Sequence, residues 1–336
     1  MSPPAQQEHH AYSFHYFWLL LKVYFLRVMA ILDVRNSDHL RPQVGDDVTV
    51  ERIQFPSRDP GRTITAYVYT PKDLPPGPSP VHVNVHGSGF TVYAFFGNSR
   101  WFCYKIASKL KCVVIDTDYR KAPEYPLPFQ PRDIEDCVTW VQTQPKRFDL
   151  DMITMSGFSA GGNLCLSTAN NLGREVVKAV ISFYAPIDAT SPGASRGIRS
   201  HPEPKESSRS GVHLIPWVFA TFFQSYIPLH LSPSDPRVSV LYLPIERYPD
   251  YILLCAGRCD VMFEDSNDFY KMVMAKGSEK QKANVEFVQV PGESHAFDEL
   301  ANCEESIKWR ETAYDASVEL VRKAHEEERG KRAGRV

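Results

Sequence analysis

The chain has 336 residues, of which 43% are hydrophobic and 12% aromatic, so it can bury one large core and a second globular domain is not required. Its formal net charge of −2 gives no basic surface of the kind that binds nucleic acid. Seven scattered cysteines form neither a disulfide framework nor a paired metal motif, which indicates a reducing compartment, and we predict a cytoplasmic protein.

Residues 11–32 are rich in Phe, Tyr, Trp and Leu, but Lys22 and Arg27 interrupt them. No uncharged stretch approaches the ~20 residues that span a bilayer, and no secretion-signal pattern is present, so we predict no transmembrane anchor. As a helix, the segment carries both cations off a stripe of seven apolar side chains. These are Phe14, Phe17, Trp18, Leu21, Phe25, Val28 and Leu32. An amphipathic helix of this kind packs on the protein or makes peripheral contact with a membrane surface.

Beyond the N-terminal segment, residues 48–55 and 64–70 alternate between apolar and polar side chains, as half-buried antiparallel edge strands do. Short apolar runs then alternate with helical stretches to about residue 324. The central runs are 81–85, 113–116, 152–155, 179–183, 251–256 and 285–290. This order predicts an α/β fold with a mainly parallel central sheet and helices on both faces.

A small-residue loop, His-Gly-Ser-Gly-Phe, follows the predicted strand 81–85 at residues 86–90. Backbone N–H groups in such a loop can approach a ligand closely, which suits stabilisation of a negatively charged oxygen. A plain glycine turn is the competing interpretation of the loop taken alone.

The pentapeptide Gly-Phe-Ser-Ala-Gly at residues 157–161 stands between an apolar run and a helix-like stretch. In this context it predicts a sharp strand-to-helix turn that presents Ser159 as a nucleophile, with glycines where side chains would collide. The pattern alone is weak evidence, because roughly one chain in ten of this length contains it by chance. Suitable partners for Ser159 must therefore carry the prediction.

The regular pattern breaks into a Pro- and Ser-rich insertion at about residues 188–249, whose position between two strands suits a cap. Its apolar stretch 215–223 includes Trp217 and Phe222, which we predict to supply an apolar wall for a ligand. A core helix beneath the insertion is the alternative. We expect disorder in the polar residues 193–211.

Two later residues suit the roles that a serine nucleophile requires, which are a base and a carboxylate that orients it. Asp260 follows the predicted strand 251–256, and His295 follows the predicted strand 285–290. Glu264 and Asp265 are weaker candidates for the acid, since both fall in the first turn of the next helix. The chain order Ser, Asp, His is the order expected of an α/β-hydrolase rather than of other serine hydrolases.

Together, the motifs at 86–90, 118–124, 157–163 and 292–297 and the acid Asp260 resemble the hormone-sensitive-lipase branch of the α/β-hydrolases. The resemblance covers roughly residues 80–300. It implies an esterase with N-terminal helices that complete the cap. The site residues that it implies are the triad Ser159, Asp260 and His295, the oxyanion-hole amides of Ser88, Gly89 and Ala160, and the loop-bracing pair His86 and Gly87.

Two residues depart from the family pattern. Ser88 stands where the family usually has glycine, so its side chain narrows the pocket or adds a hydroxyl beside the oxyanion. Phe158 stands where the family usually has aspartate, which makes the turn more apolar. With Trp217 and Phe222, we predict Phe90 and Phe158 as pocket residues.

We therefore expect cap helices in residues 1–45, a catalytic domain in 46–325 and a charged, solvated tail in 326–336. The predicted activity is hydrolysis of small to medium hydrophobic esters with no metal and no cofactor. Three alternatives stay open: amide hydrolysis such as deacetylation, acyl transfer on a specialised natural product, and a receptor that binds a small molecule without catalysis. The sequence does not separate a monomer from a homodimer.

Overall fold

The computed structural model describes residues 14–190, 203–204 and 207–334. In this part of the chain, eight strands form one sheet in the order β1-β2-β4-β3-β5-β6-β7-β8. The strands are β1 Val48–Pro56, β2 Thr63–Pro71, β3 Ser79–Val85, β4 Val113–Thr117, β5 Phe148–Phe158, β6 Val177–Phe183, β7 Tyr251–Gly257 and β8 Val285–Val290. Strands β1 and β2 are antiparallel to their neighbours, and all the other pairs are parallel. The predicted fold class, an α/β-hydrolase fold with a mainly parallel sheet, is confirmed.

Helices cover both faces of the sheet. They are α1 Phe14–Ser37, α2 Arg100–Leu110, α3 Phe129–Gln142, α4 Ala160–Leu172, α5 Pro216–Tyr226, α6 Phe263–Lys276, α7 Glu279–Asn284 and α8 Glu304–Ala333. Successive residues of β7 point to opposite faces: Ile252 and Leu254 enter the core with α3 and α4, whereas Leu253 enters the core with α2 and α8. Two apolar layers therefore hold the strand ends in fixed positions.

The orientation of α1 differs from a simple amphipathic packing. Leu19, Val23, Arg27 and Ala30 are buried against the protein, whereas all seven members of the predicted apolar stripe are exposed. The stripe was identified correctly as one face of a helix, but that face points outward. Within the described residues, the helices include none that is long and apolar enough to cross a bilayer.

The insertion at 188–249 contributes helix α5, and most of the stretch 193–211, for which we expected disorder, lies outside the described residues. The segment predicted as a tail continues helix α8 to Ala333. Its charges find partners on the body: Glu327 accepts from Lys280 and from the hydroxyl of Tyr251, and Arg332 pairs with Asp149. These contacts explain why a sequence that looks solvated remains helical as far as Ala333.

Candidate active site

Ser159 lies on the turn between β5 and α4, with a φ of 51° that non-glycine residues rarely adopt. The turn packs tightly against its surroundings. A Cβ atom on Gly161 would overlap the carbonyl oxygen of Val85, and one on Gly157 would overlap the carbonyl of Gly161. The two glycines are therefore required by close backbone approach, as the sequence pattern indicated.

Ser159, His295 and Asp260 form one hydrogen-bonded chain. The Nε2 atom of His295 lies 2.9 Å from the Oγ atom of Ser159, and its Nδ1 atom lies 2.9 Å from Oδ2 of Asp260. The other carboxylate oxygen of Asp260 accepts from the backbone N–H of Met262 at 2.9 Å. Because β5, β7 and β8 are parallel, the loops at their carboxyl ends meet at one edge of the sheet.

The loop that carries His295 is fixed by a buried acid that sequence reasoning missed. Glu293 is fully buried and accepts from the hydroxyls of Ser210 at 2.5 Å and Ser306 at 2.8 Å, and from Nε of Arg209 at 3.1 Å. Tyr184 packs its ring edge-on against the imidazole with a centroid distance of 4.8 Å. The only hint in the sequence was an acidic residue two positions before His295.

The weaker acid candidates have other partners. Asp265 is buried and accepts from the backbone N–H groups of Ile187 at 2.7 Å and Asp188 at 3.0 Å. Glu264 accepts from the side chain of Asn267 at 3.0 Å, one turn along α6. Asp260 is therefore the carboxylate that contacts His295.

Ser88, Gly89 and Ala160, which are predicted to supply the oxyanion-hole amides, line the same cavity as Ser159. Gly89 has a φ of +54°, and a Cβ atom there would overlap the ring of Phe222. The hydroxyl of Ser88 lies 2.7 Å from that of Tyr119. This pairing gives the Ser88 side chain, one of the two departures from the family pattern, a partner within the protein.

His86 is buried behind this loop. Its Nδ1 atom lies 2.8 Å from the carbonyl of Gly87, and its Nε2 atom lies 3.2 Å from Asp118, which also accepts from Lys121 at 2.7 Å. Burial and the neighbouring ammonium of Lys121 lower the pKa of His86. Although burial alone raises the pKa of Asp118, Lys121 and His86 bring it below its usual value. His86 thus holds Gly87 in place beside the ion pair of Asp118 and Lys121.

Arg27 joins α1 to the same region. Its Nε donates to the carbonyl of Thr91 at 2.9 Å, its Nη2 donates to the carbonyl of Ala122 at 3.1 Å, and both terminal nitrogens contact the carboxylate of Glu124 at 2.6 Å. Thr91 directly follows the glycine loop, so one buried guanidinium fixes α1 relative to the candidate oxyanion hole. The sequence offered no signal for this role, because Arg27 looked like a surface cation.

The site opens into a cavity of about 350 Å³. Helix α1 lines it with Leu26, Met29 and Ala30, and α5 lines it with Val218, Phe219, Phe222 and Phe223. Three of the predicted pocket residues, Phe90, Phe158 and Phe222, are in this lining. Trp217, the fourth predicted pocket residue, is not in this lining: it is 44% exposed, and its ring lies 6.5 Å from that of Phe25.

A polar end of the cavity contains Arg41, Asn98 and Glu299. Burial, with a further contribution from the neighbouring Asp298, raises the pKa of Glu299 to about 7. Among the residues that the structure describes, no group of three or more His, Cys, Asp or Glu side chains could hold a metal ion.

Comparison with known proteins adds independent findings. A family model described as alpha/beta hydrolase fold matches residues 82–299. An AB hydrolase superfamily protein of Schizosaccharomyces pombe is 28% identical over 248 residues, which cover 70% of each chain. The versiconal hemiacetal acetate esterase of Dothistroma septosporum is 29% identical over 174 residues, 49% of this chain and 51% of that protein. A solved esterase of Pyrobaculum calidifontis superposes with a TM-score of 0.73 at 24% identity, covering 90% of this chain and 93% of that chain.

Proposed function

We propose that this chain, which belongs to the alpha/beta hydrolase family, hydrolyses small to medium hydrophobic esters through Ser159, His295 and Asp260. Within that family, it falls in the hormone-sensitive-lipase-like branch of carboxylic ester hydrolases. One observation carries the proposal. The unbroken chain of hydrogen bonds from the Ser159 hydroxyl through the imidazole to the carboxylate lies at the wall of an apolar cavity.

In the proposed reaction, the Ser159 oxygen attacks the ester carbonyl while Nε2 of His295 takes its proton. Asp260 holds the tautomer with the proton on Nδ1 and stabilises the imidazolium that forms. The amides of Ser88, Gly89 and Ala160 donate to the oxygen that becomes negative, and this contribution is commonly the largest in such a site. His295 then returns the proton to the leaving alcohol, and water attacks the acyl-enzyme in the second half.

The size and lining of the cavity support the proposed substrate class. Its volume of about 350 Å³ is near the lower end of ligand sites, which run from about 300 to 1,000 Å³. The aromatic and aliphatic wall from α1 and α5 favours an apolar acyl or alcohol group over a charged one. The fungal relative is named for an acetate ester, which also supports a small acyl group.

The test is hydrolysis of p-nitrophenyl butyrate by the full chain and by Ser159→Ala. We expect turnover to fall by about 10⁴-fold or more, because the members of a triad act as a unit. Ser232→Ala, an exposed serine, is the matched control and keeps its activity. Near-normal hydrolysis by Ser159→Ala contradicts the proposal.

A fluorophosphonate probe separates this enzyme from a silent receptor, since only an activated serine is labelled. We expect labelling of the wild type and of Ser232→Ala, and none of Ser159→Ala. Product analysis with and without a competing alcohol, and with a matched amide, distinguishes hydrolysis from acyl transfer and amide cleavage. Release of the free acid from the ester at a rate independent of the alcohol supports the proposal, and preferential transfer or amide cleavage overturns its choice of reaction.

A further inference from the structure

In the part of the chain that the structure describes, the outer face of α1 is an exposed apolar surface. Its members are Phe14, Phe17, Trp18, Leu21, Phe25, Val28 and Leu32, and their exposed fractions run from 45% at Leu21 to 76% at Phe14. The buried line of α1 passes through Leu19, Val23, Arg27 and Ala30. Each buried position is two residues from a stripe position, about 200° around the helix, so the stripe points directly away from the body.

The stripe continues onto α5. The ring of Trp217 lies 6.5 Å from that of Phe25, and both side chains are about half exposed. Ile215, at the start of α5, is 47% exposed. Two adjacent helices therefore present one contiguous apolar face of the kind that soluble proteins use for binding.

The charged residues near this face indicate which kind of partner it binds. Residues 14–32 and 211–234 contain no aspartate or glutamate, although the whole chain has 40 acidic residues and a net charge of −2. Lys22 is exposed on the flank of the stripe. The other cation in residues 14–32, Arg27, is buried against Glu124. A face without carboxylates suits a surface of phosphate groups, and Phe, Tyr and Trp are the side chains that settle at the boundary between lipid headgroups and acyl chains.

We propose that the outer face of α1, together with Trp217, docks on a phospholipid bilayer. The helix lies flat in the interface, with the stripe among the outer acyl carbons and Lys22 at the level of the phosphates. The inner sides of the same two helices line the active-site cavity. Docking thus places the cavity about one helix diameter, ~10 Å, from the lipid.

Cosedimentation with phosphatidylcholine vesicles, with and without phosphatidylserine, tests the proposal on the full chain without any ester, so its outcome is independent of the proposed activity. We expect the wild type to bind both vesicles, and more tightly those with phosphatidylserine. The variant Phe17→Glu/Leu21→Glu/Val28→Glu should lose affinity about tenfold or more, because each carboxylate is costly at membrane depth. In the wild type, emission from Trp18 and Trp217 should be quenched by brominated lipid.

The matched control is Val50→Glu/Met274→Glu/Ile307→Glu, which replaces three other exposed apolar residues and adds the same charge. The control should bind vesicles like the wild type. Circular dichroism and urea unfolding establish that both triple variants are folded. Wild-type protein that remains in solution with both vesicles, or equal losses in the two variants, overturns the proposal. A wild type that instead forms dimers abolished by the stripe substitutions also overturns it.

Discussion

The ion pair between Arg27 and Glu124 is the contact whose loss should most weaken the attachment of α1 to the rest of the protein. Replacing Arg27 by methionine keeps most of the apolar stem and removes the guanidinium. The carboxylate of Glu124 and the carbonyls of Thr91 and Ala122 then lose their donors. Since α1 is otherwise held by a narrow line of buried side chains, we expect the helix to open locally.

The free energy lost on breaking this ion pair depends on how deeply its two side chains are buried. The side chain of Arg27 is 10% exposed and that of Glu124 is 29% exposed, so the pair is largely but not fully desolvated. Breaking a fully buried pair costs about 3–5 kcal/mol, and partial exposure reduces the loss. We expect α1 to lose about 2–3 kcal/mol of attachment, which raises the population of the open form about 30- to 150-fold.

Limited proteolysis with trypsin measures this opening, because Lys22 and Arg35 provide cleavage sites within α1 in the wild type and in Arg27→Met. Urea unfolding of Arg27→Met, Glu124→Gln and the double variant gives the coupling energy of the pair. KM for esters that contact α1 should rise more than kcat falls. A coupling energy below about 0.5 kcal/mol, or equal cleavage of wild type and Arg27→Met, refutes the reasoning.

Three further results are expected. Asp260→Asn should lower kcat for ester hydrolysis by about 10³- to 10⁴-fold, since an amide favours the wrong tautomer of His295, and a loss below about tenfold would exclude that role. Gly161→Ala should cost more than about 3 kcal/mol in urea unfolding, because its Cβ overlaps the carbonyl of Val85, and unchanged stability would contradict the close approach. Burial raises the pKa of Asp116 from 3.8 to about 7, so the native state binds the extra proton and its stability falls as pH rises through that window. The free energy of unfolding of Asp116→Asn relative to wild type should therefore rise by about 1.4 kcal/mol per pH unit between about 4 and 7, whereas a pH-independent difference would show that Asp116 does not hold this proton.

The sheet and the position of the candidate site were accessible from the sequence because both depend on local signals. Apolar runs of strand length identify buried strands, and the turn at residues 157–161 needs its glycines for reasons that act within a few residues. Chain order then placed Asp260 and His295 in loops that parallel strands bring to one edge.

Other features depend on contacts between distant segments, which periodicity does not contain. The pattern in α1 identified a stripe but not its direction, since Arg27 is buried only because Glu124, Thr91 and Ala122 receive it. Trp217 was assigned to the pocket because it lies in the apolar stretch 215–223, whereas the residues of α5 that line the cavity begin at Val218. The helical end of α8 likewise depends on partners far away in the chain, such as Lys280.

The cavity wall and the proposed catalytic groups come from separate parts of the chain. The side chains proposed to react stand on loops of the sheet, whereas much of the lining comes from α1 and α5, which begin about 200 residues apart. Substitutions in either helix can therefore change which molecules fit while the proposed catalytic residues stay intact. A lineage can acquire new preferences by drift in these two helices, and grafting them between relatives is a direct route to altered selectivity.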